Sequence, residues 1–366
     1  MDSTVDEMPS AQWIVDDLWA AREARTLITG TELGLFTFIA EGDTTAERIA
    51  RRLGAPRRGV ERLLDALVGI GYLNKEDGRY GLEPLSEMYL VQGRDGYVGD
   101  MVHEMRLLWN SWSHLTDVIR SGEPVQPWDE EETGRRLFPQ LVAALFPMSL
   151  NSARAVVASM PEERLAEITE VLDVAAGSAV WSIPFAQECP EVHVTTVDYP
   201  EVTAITREYT ERYGVADRYS TLEGNLRTTD FGEGVYDLVV LGYIIQTEGP
   251  EWGRRLVEKA YRALKPGGQL LIAEMIPNDE RTGPAAPLVY ALDMVLHTTD
   301  GDVFTLAEYQ EWLDKAGFAK VETIDIPAPW PLVLATRPDV EPAAEPTVEP
   351  AAEPTAATGA PHQATA

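Results

Sequence analysis

Two rhythms of hydrophobic and polar positions divide the chain. In residues 11–96, apolar side chains recur at three- and four-residue spacing in TAERIARRLG and RRGVERLLDALVGIGYL, which predicts short helices. YLNKEDGRYGL places two short apolar runs around Asp77-Gly78, a hairpin signal. Residues 97–165 keep a helical spacing and are rich in aromatics, among them Tyr97, Trp109, Trp112, Phe138 and Phe146. This segment is expected to be a linker and lid over a pocket. From 166 to 337 compact apolar runs alternate with helical stretches. Strands are expected at 170–175, 193–199, 219–224, 236–244, 269–276, 320–326 and 331–337, and helices at 181–188, 201–213, 251–264 and 305–316. Strand–helix alternation predicts an α/β fold with a parallel sheet covered on both faces. Ligands of such sheets bind at the carboxyl ends of the strands. The rhythm stops at 338. VEPAAEPT occurs twice, at 340–347 and 348–355, and nothing in 338–366 could form a core, so a disordered tail is expected.

Charge and composition narrow the function classes. The 366 residues carry a net charge of −30, which disfavours nucleic acid and anionic membranes as partners. Helix, helix, hairpin is a pattern also used to bind DNA, and Arg48, Arg51, Arg52, Arg57, Arg58 and Arg62 lie on it. Glu47, Glu61 and Asp65 stand close enough to neutralise them, so a dimerisation role is the expectation. One cysteine, Cys189, excludes an internal disulfide framework, and the five histidines lack paired ligand spacing, so no metal site is expected. The acidic opening MDSTVDEMPS does not read as a signal peptide, and a cytoplasmic protein is expected.

The candidate chemistry begins at VLDVAAGSAVWS, residues 171–182. A strand runs into a loop of small residues around Gly177, and Asp198 follows 21 residues later, a spacing suited to ribose hydroxyls. The dinucleotide fingerprint G-x-G-x-x-G and a phosphate-binding Gly-Lys-Ser/Thr are both missing, so the loop suits a nucleoside without a phosphate chain.

The order VLDVAAGSAVWSIPFAQ, VTTVDYPEV, YSTLEGNL, YDLVVLGYI and RALKPGGQLLIAEM resembles the class I S-adenosylmethionine (SAM) methyltransferases. More narrowly, residues 12–336 resemble the caffeate- and acetylserotonin-type small-molecule O-methyltransferases. The resemblance implies a Rossmann-like domain behind an N-terminal winged-helix dimerisation domain, a homodimer, SAM as cofactor and a small-molecule acceptor. It places Asp173 and Gly177 at the methionine end of SAM, Asp198 on the ribose, and Asn225 with Leu226 beside the adenine. Two departures stand out in the cofactor loop, where Ala175 and Ala179 replace glycines of the usual triplet, and Asn225 replaces an aspartate.

A third departure bears on catalysis. In LGYIIQTEGPEW, Gln246 stands where the family carries its catalytic histidine. Glutamine cannot take a proton at neutral pH, although it can hold an acceptor through its amide. Three readings stay open. The acceptor is a thioether, such as 4-methylthio-2-hydroxybutyrate, with no proton to lose; or it is a hydroxyl and another base serves, from Tyr243, Glu248, His103 or His297; or methyl transfer has been lost. A SAM-sensing, DNA-binding regulator is the rival of another class.

Overall fold

The computed structural model describes residues 10–94 and 96–339. The first unit begins with α1 (Gln12–Glu32), α2 (Leu35–Ala40), α3 (Ala46–Leu53) and α4 (Arg57–Gly69). Thr45 caps α3 by accepting the Arg48 N–H, and left-handed Gly54 closes it. The apolar stripes seen in the sequence meet at Leu35, Phe36, Ile49, Leu64 and Leu67, which are all buried. The hairpin follows as β1 (Leu73–Glu76) and β2 (Arg79–Leu82), with Leu73 opposite Leu82. Asp77 and Gly78 both have positive φ, as the tight turn between twisted strands requires. α5 (Pro84–Tyr89) ends the unit. Among the described residues four of the six arginines are ion-paired, two of them with the expected acids: Arg57 pairs with Glu61 at 3.2 Å and Arg62 with Asp65 at 3.1 Å, whereas Arg48 pairs with Asp43 at 2.8 Å and Arg52 with Glu41 at 2.6 Å.

Short helices were the expectation here, and α1 is a departure with 21 residues. Trp13, Ile14, Leu18 and Trp19 lie exposed on it. A helix whose apolar side chains do not all face its own core gives a weak periodic signal.

Residues 97–165 are helical as expected: α6 (Met101–Trp112), α7 (Leu115–Ser121), α8 (Glu131–Ser159) and α9 (Glu162–Glu167). Then come β3 (Glu170–Val174), α10 (Ile183–Glu188), β4 (His193–Asp198), α11 (Pro200–Arg212), β5 (Tyr219–Glu223), β6 (Tyr236–Gly242) and α12 (Ile245–Ala263). β7 (Leu264–Ala273), α13 (Ala285–His297), α14 (Leu306–Ala316), β8 (Lys320–Ile324) and β9 (Leu332–Thr336) complete the chain. The strand order is β5-β4-β3-β6-β7-β9-β8. α8 is long and apolar enough to cross a membrane by composition, but its buried face packs on α6, α10 and α11 inside the molecule.

The sheet corrects one expectation. It is mixed rather than wholly parallel, because β9 runs antiparallel to both β7 and β8. The short link 325–331 holds no helix, so the chain turns straight back instead of crossing over. β5, β4, β3, β6 and β7 are mutually parallel, and the central strands β3 and β6 are buried almost throughout. The direction of strand order reverses between β3 and β6, which opens a crevice at their carboxyl ends. The tail expectation for residues 340–366 lies outside the described residues.

Candidate active site

An open cleft lies over the carboxyl ends of β3, β4, β5 and β6, with about 1230 Å³ of empty space counting the solvent at its mouth. Its first half is built by the loop after β3. Ala175, Gly177 and Ala179 hold φ of 54°, 56° and 57°, so alternate residues are left-handed. The backbone therefore keeps the shape that a glycine triplet would adopt, with alanines in two of the three places. At Gly177 a Cβ would stand 3.1 Å from Val142 Cγ1 on α8, which would have to give way by a few tenths of an ångström. Thr206 on α11 donates to the Gly177 carbonyl at 2.7 Å and pins the loop.

Asp198 ends β4 and lines the cleft. Its two carboxylate oxygens accept the Gly177 and Tyr199 N–H groups, each at 2.8 Å. Burial pushes its pKa up to about 6, against the pull of those two bonds. Asn225 and Leu226 line the same half. The Asn225 Oδ1 accepts the Arg227 N–H at 2.9 Å, and its Nδ2 donates to Glu131 at 3.0 Å. Asp173 is placed differently. It does not line the cleft but accepts the Ser182 hydroxyl at 2.5 Å, and Tyr219 donates to Ser182 in turn at 3.1 Å. Burial raises the Asp173 pKa to about 7. These residues fit a nucleoside cofactor: a small-residue loop permits close approach, and an oriented carboxylate keeps lone pairs for ribose hydroxyls.

The second half is walled by Leu108, Trp128, Phe138, Leu141, Trp181 and Tyr243. Trp181 lies so close over Gly242 that any Cβ at that position would collide with its indole. Tyr243 has φ of 54°, a strained conformation for a bulky residue. Glu274, just past β7, holds this turn by accepting the Ile244 and Ile245 N–H groups at 2.8 Å each. Its other oxygen has no partner, and burial raises its pKa to about 8.

The sequence-selected catalytic candidates scatter around this wall. Among their described side chains, Tyr243 and Glu248 line the cleft, and Glu248 is held by Arg227 at 2.6 Å. Gln246 is 1% exposed and stands behind Tyr290, donating to its hydroxyl at 3.3 Å. His297 is buried away from the cleft, stacked on Trp128 with ring centroids 4.1 Å apart. Its Nδ1 lies 2.9 Å from the Asp293 carbonyl, and burial lowers its pKa to about 4. The backbone of His103 belongs to α6, and its side chain lies outside the described residues. Among the lining residues that escaped the sequence reading are Glu104, Tyr290 and Asp293. The available signal was a lone acid inside an otherwise apolar helix, LVYALDMVL, and an acid beside the selected His103.

Comparison with known proteins agrees with this geometry. Residues 112–319 match the O-methyltransferase domain family, and residues 20–92 match the O-methyltransferase dimerisation domain. The 3-hydroxy-5-methyl-1-naphthoate 3-O-methyltransferase of Streptomyces sahachiroi is 30% identical over 85% of this chain and 90% of its own. The L-tyrosine C(3)-methyltransferase of Streptomyces lavendulae is 28% identical over 90% of this chain and 93% of its own. The structure of human N-acetylserotonin methyltransferase in complex with SAM superposes with a TM-score of 0.80, at 24% identity, over 90% or more of both chains.

Proposed function

The chain belongs to the SAM-dependent O-methyltransferase family, and on that premise we propose that it methylates a hydroxyl of a small aromatic acceptor. The observation that carries this reading is the continuous cleft from the small-residue loop at Gly177 to the aromatic wall at Trp128, Trp181 and Tyr243. Bound SAM supplies an electrophilic methyl group that an acceptor oxygen displaces in line from sulfur. Asp198 would hold the ribose, the 175–179 loop the amino-acid end, and Asn225 and Leu226 the adenine. The wall would fix the acceptor and exclude water, and positioning supplies much of the rate in such a displacement.

The charge of the acceptor end favours a hydroxyl over the thioether alternative. A methylthio-hydroxybutyrate brings a carboxylate, and among the described lining residues the sole cation is Arg227, already bound to Glu248. Glu104 and Asp293 would repel such a substrate. The ion-paired arginines of α3 and α4 argue against a DNA-binding regulator.

We assign residues 11–96 to dimerisation, 97–165 to the acceptor-side lid and 166–337 to cofactor binding. The dimerisation match and the exposed tryptophans of α1 support a homodimer. The test of the activity is incubation with methyl-labelled SAM and a panel of phenols, hydroxy acids, amines and thioethers, followed by mass analysis. O-methyl products from phenols are expected; label found only on sulfur, nitrogen or carbon would sink the reading.

A further inference from the structure

O-methylation leaves one proton without an obvious destination. Gln246 has no basic atom at neutral pH, and it stands behind Tyr290. Burial raises the Tyr243 hydroxyl to about 12 and Tyr290 well above its ordinary value, the wrong direction for a base. His297 is off the cleft, and Glu248 is tied to Arg227. Asp129 is held by the Thr299 N–H at 3.2 Å, and the His103 side chain lies outside the described residues. Of the described carboxyls lining the acceptor end, Glu104 and Asp293 remain, from two different helices.

We propose that Glu104, backed by Asp293, is the base that takes the acceptor's proton in place of the family's histidine. The proposal rests on the reading of the chain as an O-methyltransferase. Asp293 is 8% exposed and fixed, its Oδ1 accepting the Trp112 indole N–H at 2.7 Å. Among the described residues Glu104 has neither a hydrogen bond nor an ion pair, so its oxygens are free to meet an acceptor in the cleft. The groups that face it can be named from each side. α13 brings Asp293 and Tyr290, and the turn after β6 brings Tyr243. α8 lines the cleft with the apolar Phe138, Leu141, Val142 and Leu145. On α1, Arg25 lies over the Trp109 ring, 5.7 Å from its centroid.

Burial and the neighbouring Asp293 raise the Glu104 pKa to about 7. A carboxylate with that affinity is still ionised above neutrality and is a far better proton acceptor than an ordinary glutamate. In the step, the acceptor O–H proton passes to a Glu104 oxygen. The freed electron pair forms the new C–O bond, the electrons of the C–S bond return to sulfur, and the coproduct leaves as a neutral thioether. The Glu104 proton is lost to water when the products depart.

The experiment uses the full-length protein with a phenol found to be O-methylated, measuring kcat and KM across pH for wild type, Glu104→Gln, Glu104→Asp and Asp293→Asn. Thermal melting and calorimetric binding of S-adenosylhomocysteine check that each variant is folded and holds the cofactor site. Wild-type kcat/KM should rise with pH through a single midpoint near 7. Glu104→Gln should lower kcat by a factor on the order of 10²–10⁴ and remove that midpoint, while Glu104→Asp recovers part of the rate. Asp293→Asn should shift the midpoint toward acid. A Glu104→Gln enzyme with unchanged kcat and pH profile overturns the proposal, as does one in which only KM rises. Absence of O-methyl product from the wild-type protein would instead refute the activity itself, a result visible before any variant is made.

Discussion

Ala175 and Ala179 sit in left-handed conformations that cost an L-residue about 1–2 kcal/mol each. Ala175→Gly should relieve that strain, less about 0.4–1 kcal/mol for the added freedom of the unfolded chain. A net gain of roughly 0–1.6 kcal/mol in denaturant unfolding is expected. Ala179 is fully buried, so the same change there loses packing and gains less. Asp198→Ala should remove charge-assisted bonds worth roughly 1.5–3 kcal/mol each and weaken SAM binding at least tenfold by calorimetry; unchanged affinity would detach Asp198 from the cofactor. At this scale the sequence was informative where a residue ends a strand. Gly177 and Asp198 could be found because loop and spacing are local. Asp173 could not be placed, because whether a strand-end side chain faces the cleft or Ser182 depends on the pleat. Glu104 and Asp293 were missed because they lie on α6 and α13, which are far apart in the chain; Trp112 and Asp293, which meet there, are 181 positions apart.

Among the elements, the seven strands of the large sheet were legible because buried strands leave short apolar runs bounded by polar turns. The direction of β9 was not, since it follows from the length of a link rather than from the strand. α13 went unrecognised because its sequence is apolar on most sides and shows no period, and that helix carries both Tyr290 and Asp293. α1 was underestimated for a related reason: Trp13 is 79% exposed and Leu18 70% exposed on the described chain, although both are large and apolar. An exposed apolar patch of this kind marks an interaction surface. Replacing Trp13, Leu18 and Trp19 with serine should therefore convert a dimer to a monomer in light scattering; a variant that stays dimeric would place the main contact elsewhere.

For the whole molecule, buried carboxyls set the dependence of stability on pH. Asp173, Glu104 and Glu274 carry pKa values raised to about 7, 7 and 8. Each binds its proton more tightly in the folded state than in the unfolded chain, so rising pH costs stability from about 4, where the unfolded carboxyls ionise, up through about 8. His297 acts oppositely on the acid side, because its lowered pKa makes the unfolded chain take up a proton first below about 6.5. Tm should accordingly be higher near pH 6.5 than at ~8.5, and Glu274→Gln should flatten the alkaline slope. A Tm that climbs through this window would contradict the buried-carboxyl account. The cleft itself is edged by Glu104, Asp129, Asp198, Glu248 and Asp293 against Arg227 alone among the described lining residues, in a chain of net charge −30. Such a cleft should favour the cationic donor over its spent, uncharged-sulfur form. SAM carries a sulfonium that the acidic surroundings draw in, whereas its thioether remnant has lost that charge at the moment of transfer and is held less firmly. Product inhibition should then be eased by the reaction's own loss of charge. Because the preference is Coulombic, the ratio of the two affinities should shrink from low salt to ~0.5 M salt, where charges are screened beyond a few ångströms.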